Sequence, residues 1–327
     1  MGDPRSWLCR SLARRASKAR GTGTSTTSSR PVPPIQELVR AEMSDPGMTG
    51  LEPAVLDVRD LSVRFATASG DVPAVKNISF QVPPGGSLAL LGESGSGKTA
   101  TARALMGILD DSAVVSGSAI YDGRNLLELT DKQMQRIRGT EIAMIFQDAQ
   151  SALNPAFTVG WQVAEVFRKR AGLSRSEART RAFDTLRGVG IPDIDRRFSQ
   201  YPHQYSGGMR QRVLIAIALA LEPRILIADE PTTALDATIE AQILDLIRTA
   251  HSASNTALVL ISHDLGVVAE MVDRVIVMNH GEMVEEGSIE DVYLRPNHPY
   301  TQALLEASPS FIGTRAHGSG TGRKEES

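Results

Sequence analysis

Apolar residues in this chain fall into short continuous runs separated by polar, helix-favouring stretches. Ser87-Leu88-Ala89-Leu90-Leu91, Ile142–Phe146, Arg224–Ala228, Ala257–Ile261 and Arg274–Met278 are such runs. Runs this short and this rich in Leu, Ile and Val read as strands buried on both faces of a parallel sheet. Helical patterns over Lys98–Leu109 and Ile239–Ser252 lie between them, and Met283–Gly287 reads as a closing strand. Strands alternating with helices predict a mostly parallel sheet with ligands at the carboxyl ends of its strands. Ahead of the first run, Val55–Phe65 alternates in part and Ala74–Val82 is a second extended stretch. Turn chemistry at Ala68–Pro73 joins them into an antiparallel pair, and Gly117–Gly123 suggests a short hairpin. Residues 151–200 are mainly helical, with amphipathic stretches around Val159–Arg170 and Arg175–Val189 broken by Gly190-Ile191-Pro192. This block interrupts the α/β alternation and reads as an inserted helical subdomain, about residues 148–216.

Residues 1–50 show no such pattern. They are rich in Arg, Ser, Thr and Gly and nearly free of large apolar side chains. A transit peptide would have this composition; a twin-arginine signal at Arg14-Arg15 is rejected because no apolar stretch follows it. The segment reads as a disordered basic tail, or as an extension upstream of a start at Met43 or Met48. Residues 313–327 read as a second disordered tail. Over all 327 residues the net charge is −3 with both signs interspersed, which gives no sign of a general nucleic-acid or membrane-surface binder. The single cysteine, Cys9, excludes an intramolecular disulfide and any cysteine-cluster metal site, and fits a reducing compartment. No apolar run approaches the ~20 residues that span a bilayer.

Chemistry enters at Gly92-Glu93-Ser94-Gly95-Ser96-Gly97-Lys98-Thr99, a G-x-x-x-x-G-K-[ST] phosphate-binding loop between a buried strand and a helix. Loop N–H groups and the helix N-terminus, through Ala100, would cradle phosphate. Lys98 would reach the β- and γ-phosphates of ATP, and the Thr99 hydroxyl would ligate Mg²⁺. Asp229-Glu230 closes another apolar strand. Two adjacent acids are commonplace on a surface, but behind a strand and downstream of such a loop they read as a Walker B pair. Asp229 would hold Mg²⁺, and Glu230 would orient or deprotonate the attacking water. The fold class expected is therefore α/β, a P-loop NTPase (RecA-like) core carrying an antiparallel β subdomain and an inserted α-helical subdomain.

Ser206-Gly207-Gly208 opens the apolar helix Val213–Leu221 and makes a second anion site at a helix N-terminus. Here the sequence resembles the ATP-binding-cassette family, whose signature is such a Ser-Gly-Gly turn. The resemblance covers about residues 54–310. It implies that Ser206, Gly207 and Gly208 face the γ-phosphate held by a partner subunit, in a head-to-tail dimer with ATP at the seam. By the same resemblance Gln147 is the coupling glutamine near Mg²⁺ and the attacking water, and His263 is the switch histidine. Thr233-Ala234-Leu235-Asp236 is the D-loop, with Asp236 contacting the opposite subunit, and Phe65 takes the place of the adenine-stacking aromatic. As an isolated residue, Phe65 would equally serve as an ordinary core aromatic.

Phe146–Pro155 with Val159-Gly160, Tyr201–Tyr205 and His298–Leu305 are similar to the oligopeptide/dipeptide importers within that family. This implies an ATPase domain over 51–287 with an importer-type extension over 288–312. The partners implied are a second, different ATPase subunit, two transmembrane permease subunits and an extracytoplasmic substrate-binding protein, with no nucleic acid. The chain would sit at the cytoplasmic face of the membrane. Nickel, glutathione or another small solute are the alternative cargoes, and a soluble cassette ATPase without a transport role is a second hypothesis. A P-loop kinase would leave Ser206–Gly208 and His263 unexplained. Some relatives hold an iron–sulfur cluster through cysteines in the extension. With no cysteine after Cys9, no iron–sulfur cluster is expected here.

Overall fold

The computed structural model describes residues 54–233 and 235–307. The tails read at 1–50 and 313–327, the candidate starts Met43 and Met48, and Ala234 of the D-loop lie outside these residues.

The central sheet is built from β3 (Ser87–Leu91), β6 (Ile142–Ile145), β7 (Ile225–Asp229), β8 (Ala257–Ser262), β9 (Arg274–Asn279) and β10 (Glu282–Ser288); β1, β2, β4 and β5 form a separate sheet described below. Their order is β10-β9-β3-β8-β7-β6, parallel except for β10. The unbroken apolar runs follow from burial of both faces. In β3, Leu88 and Leu90 enter one core while Ala89 and Leu91 enter the other; in β7, Ile225 and Ile227 oppose Leu226 and Ala228 in the same way.

One face of this sheet is covered by α1 (Lys98–Met106) and by the antiparallel sheet β2-β1-β4-β5, formed from β1 (Leu56–Thr67), β2 (Gly70–Val82), β4 (Ala113–Tyr121) and β5 (Arg124–Asn125). Two sequence expectations are corrected here. The turn is confined to Ala68-Ser69, because Gly70–Pro73 continues as strand, with Pro73 paired to Arg64. β2 lies at the sheet's edge, where a proline that lacks an N–H is tolerated. The hairpin expected at Gly117–Gly123 turns at Asp122-Gly123, and its first strand begins earlier, at Ala113.

α2 (Asp131–Ile137), before β6, packs Met134 and Ile137 into the first core, and the inserted block folds as α3 (Ala149–Ala152), α4 (Val159–Arg170), α5 (Arg175–Gly188) and α6 (Ile194–Arg197). Leu153 through Ala216 form their own core. α7 (Gly207–Leu219) returns the chain to the sheet. Val213, Leu214 and Ala216 pack in the helical core, and Ile215, Ala218 and Leu219 in the core behind the sheet. A helix buried on two sides is apolar nearly all round, as this one is. α8 (Ala237–Ser254), α9 (Leu265–Met271), α10 (Ile289–Leu294) and α11 (Pro299–Ala307) complete the second face. No described helix is long and apolar enough to cross a membrane.

Candidate active site

The loop after β3 is shaped by backbone contacts that exclude side chains. A Cβ on Gly92 would lie 2.2 Å from the Met278 carbonyl of β9, and one on Gly97 would lie 2.4 Å from the Ala74 carbonyl of β2. Gly97 also has φ +104, in the left-handed region that glycine adopts freely. It begins α1 without any side-chain cap. By contrast α4, α5, α8 and α9 are capped by Thr158, Ser174, Asp236 and Asp264. The first-turn N–H groups of α1 are thus left for an anion. The other end of α1 is held by Arg138, whose guanidinium donates to the Met106 and Gly107 carbonyls at 2.7 and 2.6 Å.

Lys98 is buried, and its Nζ donates to the carbonyls of Gly92 and Glu93, each at 2.7 Å. Burial pushes its ammonium below the ordinary lysine value, against the opposing pull of Glu230, Asp229 and Glu93. An incoming phosphate would restore the balance. Glu93, Ser94 and Gly95 form the exposed rim of the loop, and Ser96 is buried beneath it.

Because β6, β7, β8 and β3 are parallel neighbours, the residues that end them emerge side by side. Glu230, after β7, lies between Gln147, after β6, and His263, after β8. Gln147 Nε2 donates to Glu230 Oε2 at 2.7 Å and His263 Nδ1 donates to Oε1 at 3.1 Å. A carboxylate only accepts, so this contact places the imidazole proton on Nδ1. The Glu230 side chain is 14% exposed and that of His263 60%, so the carboxylate is enclosed while the imidazole stands free to follow a ligand. Glu230 has φ +43, a left-handed conformation unusual for a side chain other than glycine, Asn or Asp, and its N–H is tied to the Ile261 carbonyl at 2.9 Å. Its carboxylate is bonded to Gln147, Thr233 and His263, while that of Asp229 is bonded to Thr99.

Asp229 is buried and points instead to the loop, where Thr99 Oγ1 donates to its Oδ1 at 3.0 Å. Burial raises its carboxyl above the usual aspartate range, and the Thr99 bond only partly offsets this. A buried carboxylate beside a hydroxyl is a hard-oxygen donor pair, and it fits Mg²⁺. Gln147, expected in the same Mg²⁺ set, donates its Nε2 to Glu230, a bond that does not use its Oε1, the atom a metal would take.

Ser206, Gly207 and Gly208 form a separate group. Ser206 caps α7, but its Oγ accepts from Met209 N–H over 3.4 Å, a long bond that leaves the hydroxyl available. Gly208 lets the turn approach α8, since a Cβ there would lie 2.5 Å from Ile239 Cγ2, whereas Gly207 is open. Asp236 caps α8, accepting from Ile239 N–H at 3.0 Å. Among the described residues, no hydrogen bond or ion pair joins this group to Gly92–Thr99. Phe65 lies in β1 opposite Val72 and Ala113 and packs, partly buried, against the first core.

Two contacts escape sequence reasoning. Thr233 Oγ1 donates to Glu230 Oε2 at 2.9 Å, giving the carboxylate a third donor. Its place three residues after Glu230, in a turn, is the signal that could have located it. The hydroxyl of Tyr300 accepts from the N–H of Glu93 at 3.2 Å, a contact between segments 207 residues apart that no local pattern could reveal.

Residues 75–233 match the family model described as ABC transporter. The chain is 48% identical over 261 residues to the dipeptide transport ATP-binding protein DppD of Lactococcus lactis, covering 79% of this chain and 75% of that one. It is 46% identical over 259 residues to the oligopeptide transport ATP-binding protein OppD of Bacillus subtilis, covering 79% and 72%. A match at 49% identity to the glutathione import ATP-binding protein GsiA of Salmonella typhimurium covers 80% of this chain but 43% of that one. Among solved structures, the ATP-binding cassette MJ0796, a dimer bound to ADP and phosphate after hydrolysis, superposes with a TM-score of 0.64 at 28% identity, over 72% of this chain and 98% of that one. The cbiO1 protein of Clostridium perfringens, part of a cbiONQ transporter complex, superposes with a TM-score of 0.63 at 26% identity, over 81% and 100%.

Proposed function

The chain belongs to the ABC transporter family and is an ATPase of that family, and we propose that it energises a membrane importer of di- or oligopeptides. The observation that carries the mechanism is that two helix starts suited to an anion lie on one chain and differ in their acids. Asp229 accepts from Thr99 of the first, with Glu230 next to it, while among the described residues no hydrogen bond or ion pair joins Ser206–Gly208 to an acid. Such a split suits a head-to-tail dimer in which each ATP lies between the loop of one subunit and the Ser-Gly-Gly turn of the other. The dimeric relative bound to ADP and phosphate supports that arrangement.

Within the site, Lys98 and the N–H groups at the start of α1 bind and orient the β- and γ-phosphates. Thr99 and Asp229 would hold Mg²⁺, which supplies charge neutralisation on the phosphates. Glu230 takes a proton from water as the water oxygen bonds to the γ-phosphorus and the bond to the ADP oxygen breaks. His263 and Gln147, both bonded to Glu230, keep its carboxylate oriented, and the exposed imidazole reaches the γ-phosphate. Asp236 meets the opposite subunit at the seam, and Phe65 stacks on the adenine.

Movement at Gln147 passes to the helical subdomain. Its surface carries exposed aromatic side chains, with Phe157 41% and Trp161 44% exposed, and Phe146, the residue before Gln147, is 38% exposed. The Phe157 and Trp161 rings stack 4.1 Å apart, and Trp161 borders a cavity of about 490 Å³ lined also by Ala164, Arg168 and Phe198. Exposed aromatic rings beside charged Glu165, Arg168, Arg175 and Arg179 suit the ends of helices of two permease subunits. On this reading the chain sits at the cytoplasmic face of the membrane, with a second ATPase subunit beside it and an extracytoplasmic binding protein supplying the cargo.

The peptide assignment draws on relatives named for dipeptide and oligopeptide transport. In a complex reconstituted with its permeases, binding protein loaded with a di- or oligopeptide is expected to raise ATP turnover several-fold over unloaded binding protein. Stimulation by nickel or glutathione, and none by peptides, would reassign the cargo and leave the ATPase mechanism in place.

A further inference from the structure

The C-terminal segment is built into the nucleotide loop. On β10, Glu285 accepts the N–H groups of Asn297 and His298 at 2.8 and 3.1 Å, which fixes the turn that begins α11. Burial alone would raise the Glu285 carboxyl, but these hydrogen bonds prevail and hold it below the usual glutamate value. His298 Nδ1 then accepts the N–H of Tyr300 at 3.1 Å. Thr301 and Leu305 are buried beneath the helix, and Tyr300 and Leu304 pack against the core behind the sheet. The tyrosine is thus tied at its backbone N–H and partly buried against that core, and its hydroxyl lies 3.2 Å from the N–H of Glu93.

Glu93 is a sensitive point of the loop. Its carbonyl accepts from Lys98 Nζ at 2.7 Å and from the Ser96 N–H at 3.2 Å, so Glu93 is gripped at one end by the phosphate-binding lysine and at the other by Tyr300. The residue before it, Gly92, has φ +154 and no side chain to anchor it, and Glu93 itself is exposed at the rim. A strut from outside the loop limits the conformations from which the bound state must be selected.

We propose that Tyr300 is a positioning residue for the phosphate-binding loop, so that the C-terminal helix sets how tightly this subunit takes ATP. The inference presupposes the nucleotide-binding role of Gly92–Thr99. Tyr300→Phe in the full chain removes the hydroxyl and keeps the ring. It is expected to raise the Kd for ATP about fivefold, the fold-change equivalent to the loss of one hydrogen bond of about 1 kcal/mol. In the assembled complex KM for ATP rises similarly with kcat unchanged, the melting temperature falls by no more than about 2–4 °C, and the Glu93 amide exchanges its hydrogen faster. Tyr300→Ala would weaken ATP binding at least as much and also lower the melting temperature. Wild-type Kd, KM and Glu93 exchange in Tyr300→Phe would overturn the proposal and reduce Tyr300 to a packing residue. Lys98→Ala separates the two levels: loss of ATP binding there, beside an unchanged Tyr300→Phe, leaves the nucleotide site standing without the strut. A wild-type chain that binds no ATP would overturn both.

Discussion

Glu230→Gln is expected to bind ATP as the wild-type chain does and to hydrolyse it about a hundredfold to ten-thousandfold more slowly, the range over which a positioned general base contributes. The substitution keeps the volume of the side chain and one oxygen, which at the Oε2 position still accepts from Gln147 and Thr233 at 2.7 and 2.9 Å. An NH₂ in place of Oε1, 3.1 Å from His263 Nδ1, is accommodated by the other imidazole tautomer. What it removes is the negative charge and the basicity that draw a proton from water. With binding intact and hydrolysis blocked, the closed dimer should accumulate with MgATP, as size-exclusion chromatography with light scattering would read. Full turnover in this variant would remove Glu230 from its role as base.

The second large effect is expected at Lys98. Lys98→Ala should weaken ATP binding roughly a hundredfold or more, since a hydrogen bond to a charged group contributes about 1.5–3 kcal/mol and the ammonium would make more than one to the phosphates. In the structure its donors are turned to the Gly92 and Glu93 carbonyls, and burial already disfavours its charge. A bound phosphate supplies the counter-charge this buried cation lacks, so the loss falls on binding rather than on folding. Titration with a fluorescent ATP analogue checks it, with far-UV circular dichroism as the control for the fold. Wild-type affinity in the variant would show that the loop's backbone alone holds the nucleotide.

The parts legible in the sequence are those set by local periodicity and by short motifs. β3, β7 and β8 are continuous apolar runs because alternate residues, such as Leu88 and Ala89, enter different cores. Gly92–Thr99 announces its own geometry, since Gly92 and Gly97 stand where the Met278 and Ala74 backbones leave no room for a Cβ. The strand-ending positions of Gln147, Asp229 and His263 were equally readable. Their mutual arrangement was not, because it depends on the strand order β6-β7-β8, which brings together residues distant in sequence. Nor does a sequence state that Glu230 takes a left-handed conformation, or that its carboxylate and that of Asp229 bond to different partners. Pro73 misled the reading of the first turn, because a proline looks like a breaker until its strand is known to lie at an edge. The Tyr300 contact is the extreme case: it needs β10, the Glu285 turn and α11 all in place before the hydroxyl meets the loop.

The account centres on a catalytic site divided between subunits, with Gly92–Thr99 and Glu230 on one side and a Ser-Gly-Gly turn on the other. The most direct test is the ATPase rate per chain, measured first at concentrations where light scattering finds the purified chain monomeric, and again after addition of its partner ATPase subunit and permeases. Little turnover by the monomer is expected, with a rise of at least a hundredfold on assembly. Full turnover by the monomer, unchanged on assembly, would contradict the divided site.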